Sequence, residues 1–310
     1  MKQPPIVSVV MITYGHEQFI EQAINSVLMQ ECDFEIELIL ANDCSPDQTD
    51  VVIQKIIQTH PKASIISYYK QEVNMGMMPN FIFALQKAEG KYIALCDGDD
   101  YWTDKFKLQK QVDFLNSNLD YVLCFHSVAI LKNDGSMVED FITSLPPEYE
   151  TIDTLAKLGN YIHTPSVVYR NVLEETPPEF ELSPIGDYFL YMMLAEHGKL
   201  KFLQDQMSTY RYGVGLFSGT THSIRLQKEV IMLACLLSYL KVGDFKKILL
   251  DRYILLVDEF KKSIEDKNKE NLPIRPFLQR AIEYVKGNYK DPGKILNKVC
   301  FKVLNKVWTK

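Results

Sequence analysis

Apolar and polar positions alternate in two rhythms over the first hundred residues. Ile6-Val7-Ser8-Val9-Val10-Met11-Ile12 is a short, nearly continuous apolar run rich in β-branched residues, the pattern of a strand covered on both faces. Phe19, Ile20, Ala23, Ile24, Val27 and Leu28 then recur at helical spacing and predict one buried helix face. Glu37 to Ala41 predicts a second strand. Ser45-Pro46-Asp47-Gln48 predicts a helix start, with Ser45 as cap and Gln48 completing a capping box; Val51, Val52, Ile56 and Ile57 give that helix its apolar face. A strand at Ser64 to Tyr69, a helix at Asn80 to Ala88 and a strand at Tyr92 to Cys96 follow. Such alternation predicts a doubly wound, parallel α/β sheet.

The last of these strands runs into Asp97-Gly98-Asp99-Asp100, three carboxylates within four residues. Crowded carboxylates repel, and burying an uncompensated charge is costly, so the cluster becomes favourable when a divalent cation or a set of donors sits among them. The carboxyl end of a strand is also where open α/β sheets bind their ligands. The alternative is a polar turn, which Asp-Gly pairs commonly make.

Beyond Asp100 the pattern loosens. Phe106, Leu108, Val112 and Leu115 predict a helix, and Tyr121 to Leu131 a long strand turning at Asn133-Asp134-Gly135. Ser144 to Glu150 reads as a surface loop, and His163 to Arg170 as a strand entering from a polar edge. Asp187 follows Pro184-Ile185-Gly186 and opens an apolar helix, where aspartate is a good N-cap. Leu200 to Leu203 and Met207 to Tyr212 read as two short strands, and Gly213, Gly215 and Gly219 as the hinges of a lid. From Ser223 onward only helices are expected, at Ile224 to Leu240, Phe245 to Lys261, Pro276 to Val285 and Lys294 to Trp308. The expected division is a first domain over residues 1–221, split near residue 102, and a helical region over 222–310.

Composition narrows the class. With 310 residues and 46% hydrophobic content the chain can bury a substantial core, and a net charge of -6 argues against a whole-molecule nucleic-acid footprint. Apolar runs fall short of the roughly 18 residues of a membrane span. Pro4-Pro5 interrupts the N-terminus and no small-residue cleavage site follows, so no secretory signal is expected. Cys32, Cys44, Cys96, Cys124, Cys235 and Cys300 lie far apart, unlike a zinc site or a disulfide scaffold, and suit a reducing cytoplasm. The tail has its own rhythm. Lys286, Lys290, Lys294, Lys298, Lys302, Lys306 and Lys310 recur every fourth residue beside Ile295, Leu296, Val299, Cys300, Val303, Leu304, Val307 and Trp308. Such a helix suits either an anionic membrane surface or docking on the preceding helices.

Taken in order, Val7 to Tyr14, Asn42-Asp43-Cys44-Ser45-Pro46-Asp47, Asn74-Met75-Gly76, and Gly90-Lys91-Tyr92 leading into Asp97-Gly98-Asp99-Asp100 resemble the successive motifs of family 2 glycosyltransferases. The resemblance runs from about Ile6 to Arg211. It implies a GT-A type Rossmann-like fold: a mixed, mostly parallel sheet flanked by helices, with a helical C-terminal extension. It implies a metal-dependent, inverting transfer of a sugar from a nucleotide diphosphate donor, UDP-linked, to a hydroxyl acceptor such as a lipid-linked or growing surface glycan. By the same resemblance Asp99 holds Mg2+ or Mn2+, Asp97 faces the ribose or supports the metal ligand from beside it, and Thr13, Tyr14, Asp43, Asn74 and Arg211 surround the nucleotide sugar; the alternative for Asp43 is to organise the Ser45 cap. Asp187 matches the family's catalytic base, and Asp100 instead starts the next helix with Thr103 and Asp104. His163 and Thr164 border the acceptor or serve as structural groups, and His222 either stands in for a histidine expected just after Arg211, where Tyr212 stands, or is an ordinary loop residue.

The chain departs from the family at Gly15, Asn42 and Cys44, where asparagine, aspartate and glycine are more usual. Two other readings of the carboxylates are a catalytically silent sugar-nucleotide-binding protein and a nucleotidyltransferase. The latter calls for a glycine-rich basic loop after the first strand, which Thr13-Tyr14-Gly15-His16-Glu17 is not.

Overall fold

A computed structural model describes residues 5–215, 217–241 and 243–267. The N-terminal half alternates as the pattern predicts: β1 (Val7–Thr13), α1 (Ile20–Leu28), β2 (Ile36–Asn42), α2 (Thr49–Thr59), β3 (Ile66–Lys70), α3 (Met77–Gln86) and β4 (Tyr92–Leu95). β1 pairs in parallel with both β2 and β4, and β2 with β3. Every residue of β4 is buried, as is all of β1 except the half-buried Ile12, which is why both read as continuous apolar runs.

α2 begins at Thr49 rather than at Pro46. Ser45 is turned back toward β2, its N–H and hydroxyl donating to Asn42 Oδ1 at 2.9 and 2.7 Å. Asp47 instead accepts from the Thr49 N–H and hydroxyl at 3.1 and 2.6 Å. Local side-chain bonding has displaced the expected capping box.

The second half contains β5 (Tyr101–Trp102), α4 (Lys107–Ser117), β6 (Tyr121–Lys132), β7 (Met137–Glu139), α5 (Ile152–Leu158), β8 (Val168–Arg170), α6 (Pro178–Glu181), α7 (Gly186–Ala195), β9 (Lys199–Tyr212), α8 (His222–Tyr239) and α9 (Asp244–Lys267). The sheet order is β3-β2-β1-β4-β8-β6-β9-β5, with β7 paired to β6. β8 is antiparallel to β4 and β6, β5 to β9, and β7 to β6, while β6 and β9 run parallel. The parallel ladders carry most of the paired residues, so the sheet is mixed and mostly parallel, flanked by helices.

Three expectations change. The two strands predicted over residues 200–212 are one strand, β9, whose register against β6 shifts around His126 to Val128. There the exposed Gln204-Asp205-Gln206 interrupts the apolar pattern without ending the strand. Thr164–Ser166 form a 3-10 turn and β8 starts only at Val168, since Pro165 has no N–H for a ladder. Asp100 does not open a helix: β5 follows it, and α4 begins at Lys107.

By internal contacts the chain divides into two compact units. One comprises the residues up to Glu175 together with Tyr191–Gly219 and holds the whole sheet. The other comprises Thr176–Leu190 and the chain from Thr220 onward. Within the second, the Phe189 ring meets those of Phe180 and Tyr239, with centroids 5.4 and 5.8 Å apart, and Arg252 donates to the Tyr188 hydroxyl at 2.9 Å. No described helix is long and apolar enough to cross a membrane. The helices expected at Pro276 to Val285 and Lys294 to Trp308, and the lysine stripe, lie outside the described residues.

Candidate active site

The segment Asp97 to Asp100 leaves β4 as a tight turn closed by Asp100 N–H to Asp97 C=O at 3.1 Å, and Gly98 N–H reaches back to Ile12 C=O at 2.9 Å. A Cβ on Gly98 would stand 2.7 Å from Thr13 Oγ1 and 2.9 Å from His16 Nδ1, so only glycine lets the turn lie on the end of β1. The three carboxylates therefore separate. Asp97 is half-buried, Asp99 is 8% exposed and Asp100 is 2% exposed.

Asp100 is a structural anchor, since its Oδ1 accepts the Arg211 N–H at 2.8 Å. Burial, then the neighbouring Asp99 charge, pushes its carboxyl well above the ordinary range. Arg211 lies behind the same turn. Its guanidinium stacks between the rings of Phe19 and Tyr101, 4.8 Å from each, and donates to Asp99 C=O and to Gln22 Oε1.

The Asp99 carboxylate has no hydrogen-bond donor among the described residues; its one ion-pair contact is His16 Nε2, 4.0 Å from Oδ2. Burial lowers the His16 imidazole below its usual value despite the opposing pull of Asp99, so near pH 7 it faces that carboxylate largely neutral. His16 is held by Thr13, with 3.1 Å between Nδ1 and Oγ1. A Cβ on Gly215 would lie 3.3 Å from Asp99 Oδ2, which places the loop after β9 against the same carboxylate.

A second group adjoins the first through Asp43, whose N–H donates to Thr13 C=O at 3.0 Å. The Asp43 carboxylate accepts the N–H groups of Met75 and Gly76 at 2.8 and 2.9 Å, and Asn74 Oδ1 accepts the Gly76 N–H at 3.1 Å. Gly76 has φ 90° and ψ 160°, a conformation reserved almost wholly for glycine. Burial raises the Asp43 carboxyl, opposed by those two N–H groups. Asp43 thus organises Asn74-Met75-Gly76 and not Ser45. Tyr14 and Met75 stand exposed beside it.

The model of glycosyl transferase family 2 matches residues 8–176, more than half of the chain. The chain belongs to that family. An uncharacterized Mycobacterium tuberculosis protein is 34% identical over 204 residues, which are 66% of this chain and 58% of that protein. The Bacillus subtilis glycosyltransferase TuaG, whose name assigns it provisionally to teichuronic acid biosynthesis, is 32% identical over 153 residues, 49% of this chain and 58% of TuaG. The chain therefore spans well under two thirds of these relatives' length. Among solved structures, S. aureus TarS 1-349 in complex with UDP-GlcNAc superposes with a TM-score of 0.61 at 20% identity, covering 87% of this chain and 77% of that one. The Pyrobaculum calidifontis mannosyltransferase PcManGT, in complex with GDP-Man and Mn2+, gives a TM-score of 0.57 at 15% identity, covering 100% and 89%. These likenesses show the GT-A fold.

In this family 2 chain Thr13, Asp97, Asp99 and Arg211 come together around one turn, with Asp43, Asn74 and Tyr14 at the adjoining strand end. Asp187 belongs to the second unit. It is the second residue of α7 and not its cap, half-buried, with Oδ1 accepting the Tyr188 N–H at 2.7 Å. His222 is exposed and pairs with Glu259 at 3.3 Å, and His163 is buried against Asp140. Sequence reasoning passed over His16, Gln22 and Asp140. Of these only His16, two residues past the first motif, carried a local signal.

Proposed function

We propose that this chain is an inverting hexosyltransferase that moves a sugar from a nucleotide diphosphate donor, UDP-linked, to a hydroxyl of a lipid-linked or growing surface glycan. The observation that carries this reading is the Asp99 carboxylate, 8% exposed at the end of a parallel strand and without a donor among the described residues. Such a group is stable beside a cation. A hard divalent ion, Mg2+ or Mn2+, fits it with Asp99 as the protein ligand. When bound, that ion accepts charge from the departing diphosphate. The Mn2+ and GDP-Man of PcManGT and the UDP-GlcNAc of TarS support the donor class.

The chain's own residues supply the rest. Each Asp43 oxygen accepts one N–H from the Asn74 to Gly76 loop and retains a lone pair for a base N–H or a ribose hydroxyl, with the exposed Tyr14 ring to flank the base. Asp97, half-buried, faces the ribose. Arg211 acts from behind, fixing the backbone of Asp99 and the carboxylate of Asp100 so that the Asp99 carboxylate keeps its place as charge builds up. Asp187 takes the proton from the acceptor hydroxyl as that oxygen attacks the anomeric carbon, and a single displacement of this kind inverts the centre. The name of TuaG supports a polymeric acceptor, and the C-terminal lysine stripe supports a peripheral place on the cytoplasmic face of a membrane.

The test pairs two substitutions. Asp99→Asn should remove the Mn2+-dependent part of UDP affinity in calorimetry, and Asp187→Asn should keep UDP affinity while lowering turnover more than about tenfold, about 1.4 kcal/mol of barrier. Undiminished metal-dependent binding in the first variant sinks the metal assignment. Turnover within tenfold in the second sinks the base.

A further inference from the structure

His16 stands just past the end of β1, and its imidazole faces the carboxylate on which the reading above rests. Nε2 lies 4.0 Å from Asp99 Oδ2, and the two side chains are 19% and 12% exposed, so solvent reaches both. A direct hydrogen bond would draw these atoms to within about 3.2 Å. At 4.0 Å neither satisfies the other, and among the described residues Nε2 has no further polar partner.

The ring is held in this place from several sides. His16 N–H donates to Thr49 Oγ1 at 2.9 Å, its C=O accepts the Phe19 and Ile20 N–H groups at 2.9 Å each, and the ring meets that of Phe19 edge-on with centroids 6.4 Å apart. Nδ1 is 3.1 Å from Thr13 Oγ1. With the Nδ1 proton donated to that hydroxyl, Nε2 turns a lone pair toward Asp99. A lone pair and an ionised carboxylate repel, and a cation between them replaces the repulsion with two bonds. Two metal–ligand bonds of about 2.1 Å span such a gap. The carboxylate is also clear on another side: a Cβ on Gly215 would come within 3.3 Å of Asp99 Oδ2 and meet nothing else described within 4 Å. Glycine there leaves room for the phosphate or water oxygens that complete an ion's shell.

An imidazole beside a carboxylate does not serve all divalent ions alike. Mg2+ takes oxygen ligands, whereas first-row transition ions also accept imidazole nitrogen, Mn2+ the least tightly among them. We propose that His16 binds the divalent ion through Nε2 beside Asp99, and that this nitrogen makes the site favour Mn2+ over Mg2+. The proposal rests on the metal-dependent transferase reading and deepens it, since it adds a protein ligand and chooses between the two ions.

The experiment uses the full chain with UDP and either Mn2+ or Mg2+, and compares His16→Gln and His16→Asn with the unsubstituted protein. Pulsed electron paramagnetic resonance of the bound Mn2+ detects a nitrogen bonded to it, and isotopically labelled histidine assigns that nitrogen. The expected result is a histidine coupling in the parent that both variants lose. In calorimetry the Mn2+ affinity should fall at least about tenfold while that for Mg2+ changes less than about threefold. A histidine that merely props the turn would give no coupling and would shift both ions alike. Absence of the coupling in the parent, its survival in a folded variant, or equal losses for the two ions therefore overturns the proposal. If neither variant folds, the parent spectrum decides, because no other histidine lies within ion-pair distance of Asp99 among the described residues. Mn2+ that binds through Asp99 without a histidine coupling removes the proposal and leaves the transferase reading standing. A parent that binds no Mn2+ in the presence of UDP overturns the metal assignment and the proposal together.

Discussion

Cys44 is the one non-glycine residue among those described that holds a left-handed backbone, φ 57°, and it does so between Asp43 and Ser45. Such a conformation costs a residue with a Cβ about 1–2 kcal/mol, while glycine carries an unfolded-state penalty of roughly 0.5–1 kcal/mol. The difference favours glycine, so Cys44→Gly should raise stability by about 0.5–1 kcal/mol, read as a melting temperature higher by roughly 1–4 °C. UDP affinity should not move, because the Asp43 bonds to Met75 and Gly76 remain. A lower melting temperature would mean that the Cys44 thiol, 3.7 Å from Glu72 C=O, contributes more than the strain removes. The same geometry accounts for two departures from the family's pattern. Gly15 has φ 71°, where asparagine is also tolerated, and position 44 is where the family places glycine. Asn42 has a different reason. Its amide accepts from Ser45 and donates to the Tyr68 hydroxyl, which itself donates to Asp50. An aspartate there would leave that hydroxyl between two carboxylates.

At the scale of elements, α4 buries a lysine amine beside the Trp102 ring. Lys107 is wholly inaccessible, its Nζ 2.7 Å from Gln111 Oε1 and 4.3 Å from the centroid of the Trp102 ring. Burial brings its pKa down from 10.5 to about 7. A lowered amine pKa means that between pH 7 and 10.5 the unfolded chain binds a proton that the folded chain has released, so stability rises with pH across that window. For one proton the slope is about 1.4 kcal/mol per pH unit. Lys107→Met should remove that slope, so the stability difference between variant and parent shrinks as pH goes from 7 to 9.5 in urea denaturation. A constant difference would mean that Lys107 stays charged when folded. Elements whose burial is local were legible beforehand: β1 and β2 are mostly apolar, β4 is apolar throughout, and α1 repeats at 3.6 residues. β5 was not, because two residues carry no period and exist as a strand only by pairing with β9. The start of α2 was missed because Asn42 and Asp47 hold the hydroxyls of Ser45 and Thr49. The same distinction divides the site. Asp97 and Asp99 announce themselves as neighbours, whereas His16 meets Asp99 across 83 positions and Asp140 meets His163 across 23, pairings that only the folded sheet creates.

At the scale of the whole molecule, charge is unevenly placed. The chain carries a net -6, yet seven of its lysines recur at every fourth position from Lys286 to Lys310, outside the described residues. Five of them, Lys294 to Lys310, fall beyond Gly293 together with Trp308 and the apolar positions between. Near an anionic leaflet each lysine contributes about 1 kcal/mol, so five give roughly 5 kcal/mol, enough to outweigh the repulsion of an acidic body held more than a Debye length away. The full chain should therefore sediment with vesicles containing phosphatidylserine at 20 mM salt and be released by 500 mM, since screening shortens the reach of each charge from roughly 20 Å to a few ångströms. Removing residues 293–310 should abolish that binding while the melting temperature stays within a few degrees, if the apolar face of that segment meets the membrane and not the protein. A truncated chain that no longer folds, or a full chain that ignores the vesicles at low salt, would assign the apolar face to the protein itself. The lysines would then be a solvated surface, and a soluble glycan would become the better candidate for the acceptor.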